Sequence, residues 1–148
     1  MKKLTLLTLI IASAFTACTT MKSGTIGTGG LSQLGGTWEL NYISGPRIAF
    51  NGLYPGKKPT IKFEIGDKKF SGNTSCNSYT GALVADDSSI NFTAPFAMTK
   101  MACPGEGEAT FLQMLRKVGS YAVTSDTTLN FMMGDIAIMR FSKKVVSN

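Results

Sequence analysis

The sequence predicts an α+β fold: a small antiparallel β-rich domain, with a barrel-like, strongly twisted sheet and one helix in its C-terminal third. Three observations carry that expectation. Short runs of alternating apolar and polar residues recur between Thr37 and Phe141, the pattern of half-buried strands. The chain has 16 glycines, and most of those past residue 36 sit between these runs, where turns are needed. A single helical apolar period follows Pro104-Gly105. Successive short strands with one late helix suit an antiparallel sheet better than βαβ units.

The elements follow in order. Trp38, Leu40 and Tyr42 alternate with polar neighbours and define a first strand over 37–43 with those three side chains inward. Residues 44–59, with Gly45, Pro46, Pro55 and Gly56, read as a long loop. Ile61, Phe63 and Ile65 alternate with Lys62 and Glu64 in a second strand, and Gly66-Asp67 then suits a type II′ hairpin. Residues 75–84 and 89–93 read as further strands, with Ile90 and Phe92 inward. Glu106 and Glu108 precede Phe111, Met114, Leu115 and Val118, which lie at helical spacing. Acidic residues favour a helix start and Arg116-Lys117 its end, with Gly119 placed as the cap. Strands over 120–123, 127–133 and 136–141 close the chain, the last two joined at Gly134-Asp135. No long-period repeat is present.

The N-terminus reads differently. Lys2-Lys3 precede an apolar run over 4–14 and then Phe15-Thr16-Ala17-Cys18. A basic head, an apolar core and small residues at the cut describe a bacterial secretory signal. The run falls short of the roughly 20 apolar residues a bilayer span needs. A cysteine after a small residue resembles a lipobox, although Phe15 stands where leucine is usual. The expected organisation is a lipoprotein signal peptide over 1–17, a lipidated Cys18 with a flexible glycine-rich tether over 18–35, and a domain over 36–148. An acyl group such as palmitate on Cys18 would hold the chain to a membrane. Thr19 lacks the aspartate that marks inner-membrane retention, so the expected place is the outer membrane facing the periplasm.

Cleavage before Cys18 leaves 131 of the 148 residues, enough for one domain with a real core. The formal charge falls from +6 to +4 when Lys2 and Lys3 leave. The remaining basic residues are scattered, without a basic stripe interleaved with aromatics, so no nucleic-acid partner is expected. With Cys18 assigned to lipid, Cys76 and Cys103 remain as a pair. In an oxidising compartment they form a disulfide closing about 28 residues, with a stabilisation of about 3–4 kcal/mol. Two free buried thiols or a metal site are the alternatives. Metal is disfavoured, because the chain has no histidine and two thiolates are half of a tetrahedral zinc shell.

The absence of histidine also removes Ser-His-Asp and Cys-His catalysis. Ser71 with Lys69 is a loose Ser-Lys pair, Asp86-Asp87 before Ser88-Ser89 reads as a solvated turn, and Glu106 and Glu108 serve the helix dipole. No catalytic residue and no cofactor are expected. The stretch that resists a structural account is Ser71-Gly72-Asn73-Thr74-Ser75-Cys76-Asn77-Ser78-Tyr79-Thr80-Gly81, polar and small yet bounded by glycines. One reading is a disulfide-fixed bend whose Asn side chains satisfy backbone groups. The other is a ligand-contacting surface formed by Asn73, Asn77 and Tyr79.

Four ordered motifs here, Gly36-Thr37-Trp38-Glu39-Leu40, Pro59-Thr60-Ile61-Lys62-Phe63, the stretch from Gly72 to Gly81, and Thr99-Lys100-Met101-Ala102-Cys103, resemble the META domain of the HslJ-like family. The resemblance runs from about Gly36 to Lys143. It implies a compact β-rich domain with a helix, often on secreted or lipid-anchored bacterial proteins, and a part in envelope stress tolerance of the heat-shock or novobiocin-resistance type. It supplies no catalytic residues. The expected function is that of a non-enzymatic, monomeric envelope lipoprotein that touches the membrane through Cys18 and acts by binding an envelope partner or ligand or by structural support. Inhibition of a cell-wall hydrolase such as lysozyme is the alternative, and the positive charge opposes it because lysozymes are commonly basic.

Overall fold

The computed structural model describes residues 30–145. The expected signal segment, Cys18 and the tether over 19–29 lie outside the described residues. Ten strands form: β1 (Gly36–Ile43), β2 (Thr60–Glu64), β3 (Lys69–Asn73), β4 (Ser78–Ala82), β5 (Val84–Ala85), β6 (Ile90–Asn91), β7 (Ala97–Met98), β8 (Ser120–Thr124), β9 (Thr128–Met133) and β10 (Ile136–Lys143). Helix α1 (Phe50–Leu53) is one turn, and α2 (Gly107–Leu115) is the helix expected from the apolar period.

Eight strands make one antiparallel sheet in the order β7-β4-β3-β2-β1-β10-β9-β8, and β5 pairs with β6 apart from it. The sheet is not closed, but it curls strongly. Phe63 on β2 and Phe131 on β9 stand three strands apart, about 14 Å in a flat sheet. Their ring centroids are 6.4 Å apart, because the curl brings distant parts of the inner face together. Phe92 packs in the same core, 5.1 Å from Phe70 and 5.5 Å from Phe131. The α+β, twisted-sheet expectation holds. Phe111 and Leu115 of α2 and Val118 beyond it are buried in the same core.

Local departures have physical causes. A bulge between Leu40 and Tyr42 in the β1–β10 register shifts the alternation. Trp38 and Leu40 are fully buried, but Tyr42 turns out to 41 % exposure and Ile43 goes in. The β2–β3 connection is a four-residue loop and not a two-residue type II′ turn: Glu64 pairs with Lys69, and Lys68, at φ 50°, takes the left-handed position. At the β9–β10 hairpin the expectation holds, since Met133 pairs with Ile136 and Gly134 takes φ 58°. Gly119 does not cap α2; Arg116 ends the helix, and the Gly119 N–H donates to Met132 O as the chain enters β8. The loop over 44–59 contains α1, which buries Leu53 and leads into the buried Tyr54.

The expected tether reaches too far. Residues Leu31–Leu34 form a 3-10 turn with Leu34 completely buried. Leu34 O accepts from Trp38 Nε1 at 2.7 Å, and Leu31 N–H donates to Asp87 Oδ1 at 2.9 Å. Two leucines three apart present one apolar face, so the folded domain begins before Gly36.

Candidate functional site

The polar stretch after β3 folds into a tight turn before β4. Ser75 takes φ 91°, a left-handed value outside the usual range for a side-chain-bearing residue. The turn is held from within: Thr74 N–H donates to Asn77 O at 2.8 Å, and Asn77 N–H donates to Thr74 Oγ1 at 2.9 Å. Asn73 Oδ1 accepts from the Ser75 N–H at 2.8 Å, an Asx turn that offsets the strain. From this turn Cys76 reaches Cys103 in the disulfide, their Cα atoms 6.0 Å apart. The stapled segments are the turn between β3 and β4 and the entrance to α2.

Beneath the staple lies a closed polar cluster. Asn77 is 1 % exposed and uses both ends of its amide. Its Oδ1 accepts from Thr99 Oγ1 at 2.7 Å and from the Met101 N–H at 2.8 Å. Its Nδ2 donates to Met101 O at 3.1 Å and faces Cys103 Sγ at 3.0 Å and both carboxylate oxygens of Glu108 at 3.1 and 3.0 Å. Thr74, also buried, donates through its hydroxyl to Glu108. Among the described residues no buried side-chain nitrogen or oxygen lacks a partner, as satisfied interiors require.

Tyr79 is equally internal. Its ring, 3 % exposed, packs 6.0 Å from Phe70 and 5.9 Å from Phe111, and its hydroxyl donates to Thr60 O at 2.8 Å. Burial raises its phenol well above the ordinary tyrosine value. The bounding glycines are there for close approach. A Cβ on Gly72 would stand 2.1 Å from Thr60 O and 2.6 Å from the Tyr79 hydroxyl; one on Gly81 would stand 2.7 Å from Phe96 Cβ and 2.8 Å from the Phe70 ring.

The sequence-derived site therefore divides. Cys76 and Cys103 meet as expected, and Cys18 lies outside the described residues. Asn77 and Tyr79 are not on the surface, because their polar atoms are consumed inside the fold; Asn73 is half-buried and serves the turn. The disulfide-fixed bend is the reading that the geometry supports. Glu108, assigned from sequence to the helix dipole, is the residue that sequence reasoning missed. The only signal was indirect: a Cys76–Cys103 bond must draw the start of α2 towards Asn77.

Around the cluster the surface is grooved. A groove of about 330 Å³ is lined by Leu53, Tyr54, Pro55, Lys57, Cys76 and Pro104, among others. A second groove, about 350 Å³, shares Leu53, Pro55 and Pro104 and extends to Ile48 and Glu106. Tyr54 is the wall between groove and helix, its hydroxyl donating to Gly107 O at 3.0 Å, and burial raises its phenol strongly. Gly107 allows that contact, since a Cβ there would lie 2.7 Å from Leu53 O. The acidic pair lies elsewhere and forms a solvated turn. Asp86 Oδ1 accepts from the Ser88 and Ser89 N–H groups and Oδ2 from the Ser89 hydroxyl. The Ser89 hydroxyl is the foremost reason its carboxyl falls to about 2.

Comparison with known proteins agrees with this architecture. The NMR structure of a protein from Burkholderia xenovorans is similar at 21 % identity and a TM-score of 0.59, covering 77 % of this chain and 86 % of that one. The crystal structure of a DUF4847 family protein from Bacteroides vulgatus is similar at 18 % identity and a TM-score of 0.51, covering 76 % and 96 %. At such identities the likeness is one of fold. No curated protein matches the chain. The META domain family model matches residues 31–146, beginning at the turn that carries Leu34. By that match over most of its length, the chain belongs to the META domain family.

Proposed function

We propose that this protein is a non-enzymatic envelope lipoprotein, held at the outer membrane through Cys18, whose META domain serves envelope stress tolerance by binding or by structural support. The observation that carries the reading is the inward use of the motif from Gly72 to Gly81. Its Thr74, Asn77 and Tyr79 side chains are spent on the fold, which favours a structural role for the motif over contact with a substrate. A disulfide between the β3–β4 turn and the entrance to α2 suits a small domain that works where thiols oxidise. With Asn77 and Tyr79 buried, contact with a partner falls instead to the grooved rim beside the staple, where Ile48 is 46 % exposed and Met101 60 %. Lysozyme inhibition is the weaker alternative, because Lys57 borders that rim and no observation favours it.

The test has two parts. Intact mass of the protein recovered from envelopes is expected to match a chain starting at an acylated Cys18 and two hydrogens short of the dithiol. Photo-crosslinking in intact cells from position 48 or 101 is then expected to recover a specific envelope component. An unacylated mass would overturn the anchoring, and crosslinks no richer than those from an exposed site such as Lys68 would overturn binding through the rim.

A further inference from the structure

We propose that Cys76, Cys103 and Glu108 form a redox-gated metal site, which takes one thiophilic divalent ion such as Zn2+ when the disulfide is reduced. The two sulfurs and a Glu108 carboxylate oxygen lie within 4.8 Å of one another, and all three residues are half-buried. Tetrahedral zinc, with bonds of about 2.3 Å to sulfur and 2.0 Å to oxygen, sets its ligand atoms roughly 3.5 Å apart. Only a small spreading of the sulfurs is needed once their bond is broken. Two cysteines alone fall short of a zinc shell; Glu108 supplies the third ligand that the sequence concealed. The fourth position is left for water or an outside ligand.

The outer groups are already in place. Metal ligands are oriented and tuned by hydrogen bonds from a surrounding shell. Here the Thr74 hydroxyl donates to Glu108, and Asn77 Nδ2 faces both Glu108 oxygens and Cys103 Sγ. Asn77 is fixed in turn by Thr99 and Met101. A carboxylate and a sulfur held by one buried amide is more order than a structural disulfide requires.

The oxidised form holds no thiolate and so excludes the metal. Opening needs a dithiol reductant. Its thiolate attacks one sulfur of the pair, a mixed disulfide forms, and its second thiol resolves that bond. Two electrons and two protons end on Cys76 and Cys103, and the reductant leaves as its own disulfide. Zn2+ then displaces the two thiol protons. Cys76 lines the open groove beside Pro55 and Lys57, which gives the reductant a way in. The inference rests on the geometry of the cluster and is independent of membrane anchoring.

The purified chain, oxidised or reduced with a phosphine, is offered Zn2+, desalted and assayed for bound metal by mass spectrometry, with Co2+ as a spectroscopic probe. One ion per reduced chain, none per oxidised chain, and a thiolate-to-cobalt charge-transfer band are expected. In chelator competition Glu108→Gln and Asn77→Ala are expected to weaken binding roughly 10- to 100-fold. A reduced chain that keeps its near-UV circular dichroism yet binds nothing overturns the proposal. So does an unchanged affinity in Glu108→Gln, or loss of that dichroism on reduction, since the outer groups exist only in the fold.

Discussion

The Tyr79 side chain lies across Gly72, with its hydroxyl oxygen 2.6 Å from the point that a Cβ on Gly72 would occupy. Strands β3 and β4 pair these two residues directly, so the tyrosine crosses its own partner to donate to Thr60 O on β2. One hydrogen bond thus ties three strands at the place where the polar turn begins. Gly72→Ala is expected to destabilise the domain by about 3 kcal/mol or more, the scale of overpacking with backbone displacement. Tyr79→Phe in the same chain should not restore stability, because Thr60 O would remain 2.1 Å from the new methyl group. Urea midpoints of the two single variants and the double variant decide this. A Gly72→Ala chain within about 0.5 kcal/mol of the parent would refute the close approach as the reason for glycine.

Much of the fold could be read because burial imposes a period. Trp38, Leu40, Ile61, Phe63, Ile90 and Phe92 all went inward as their alternation required. Tyr42 did not, since a bulge is a property of two strands in register and leaves no mark in one of them. Leu34 was hidden by its glycine-rich surroundings, and α1 by the prolines flanking it. The site was less legible for a related reason. Asn77 and Thr74 look like surface residues by type, and only partners far along the chain, Thr99, Met101 and Glu108, make them interior.

Alkaline pH is expected to unfold the protein early. Tyr54, Tyr79 and Tyr121 are all buried and all raised above the ordinary tyrosine value, Tyr121 to about 12 by burial and then by the nearby Asp87 and Asp86. The native state therefore keeps these phenols neutral where the unfolded chain, near pKa 10, already releases protons. Their stabilisation is intact below about pH 10 and is lost as pH rises through the folded values. Urea midpoints are expected to be flat between about pH 8 and 9.5 and to fall above pH 10. Tyr121→Phe, which gives up the bond to Asp86 O, should lower the midpoint at neutral pH and flatten part of that alkaline fall. A slope identical to the parent's would assign the fall to other groups.

Asn77 offers a pH test of opposite sign. Asn77→Ala leaves the Met101 N–H, the Thr99 hydroxyl and Glu108 without their buried partner, and is expected to cost about 3 kcal/mol with little dependence on pH. Asn77→Asp keeps the shape and the two acceptor contacts to Thr99 and Met101, but sets a carboxylate against Glu108, whose oxygens are 3.0 and 3.1 Å from the present amide nitrogen. Two carboxylates at that distance share a proton, so the native pair binds it more tightly than the unfolded chain does. The folded value of one group is then raised above its unfolded value near 4. The penalty should be small below about pH 4 and should grow as pH rises through the raised value. Unfolding of the two variants at pH 4 and pH 7 separates these cases: the Asn77→Asp deficit is expected to shrink at the lower pH while the Asn77→Ala deficit stays. Equal deficits at both pH values would show that Glu108 does not face Asn77 in solution.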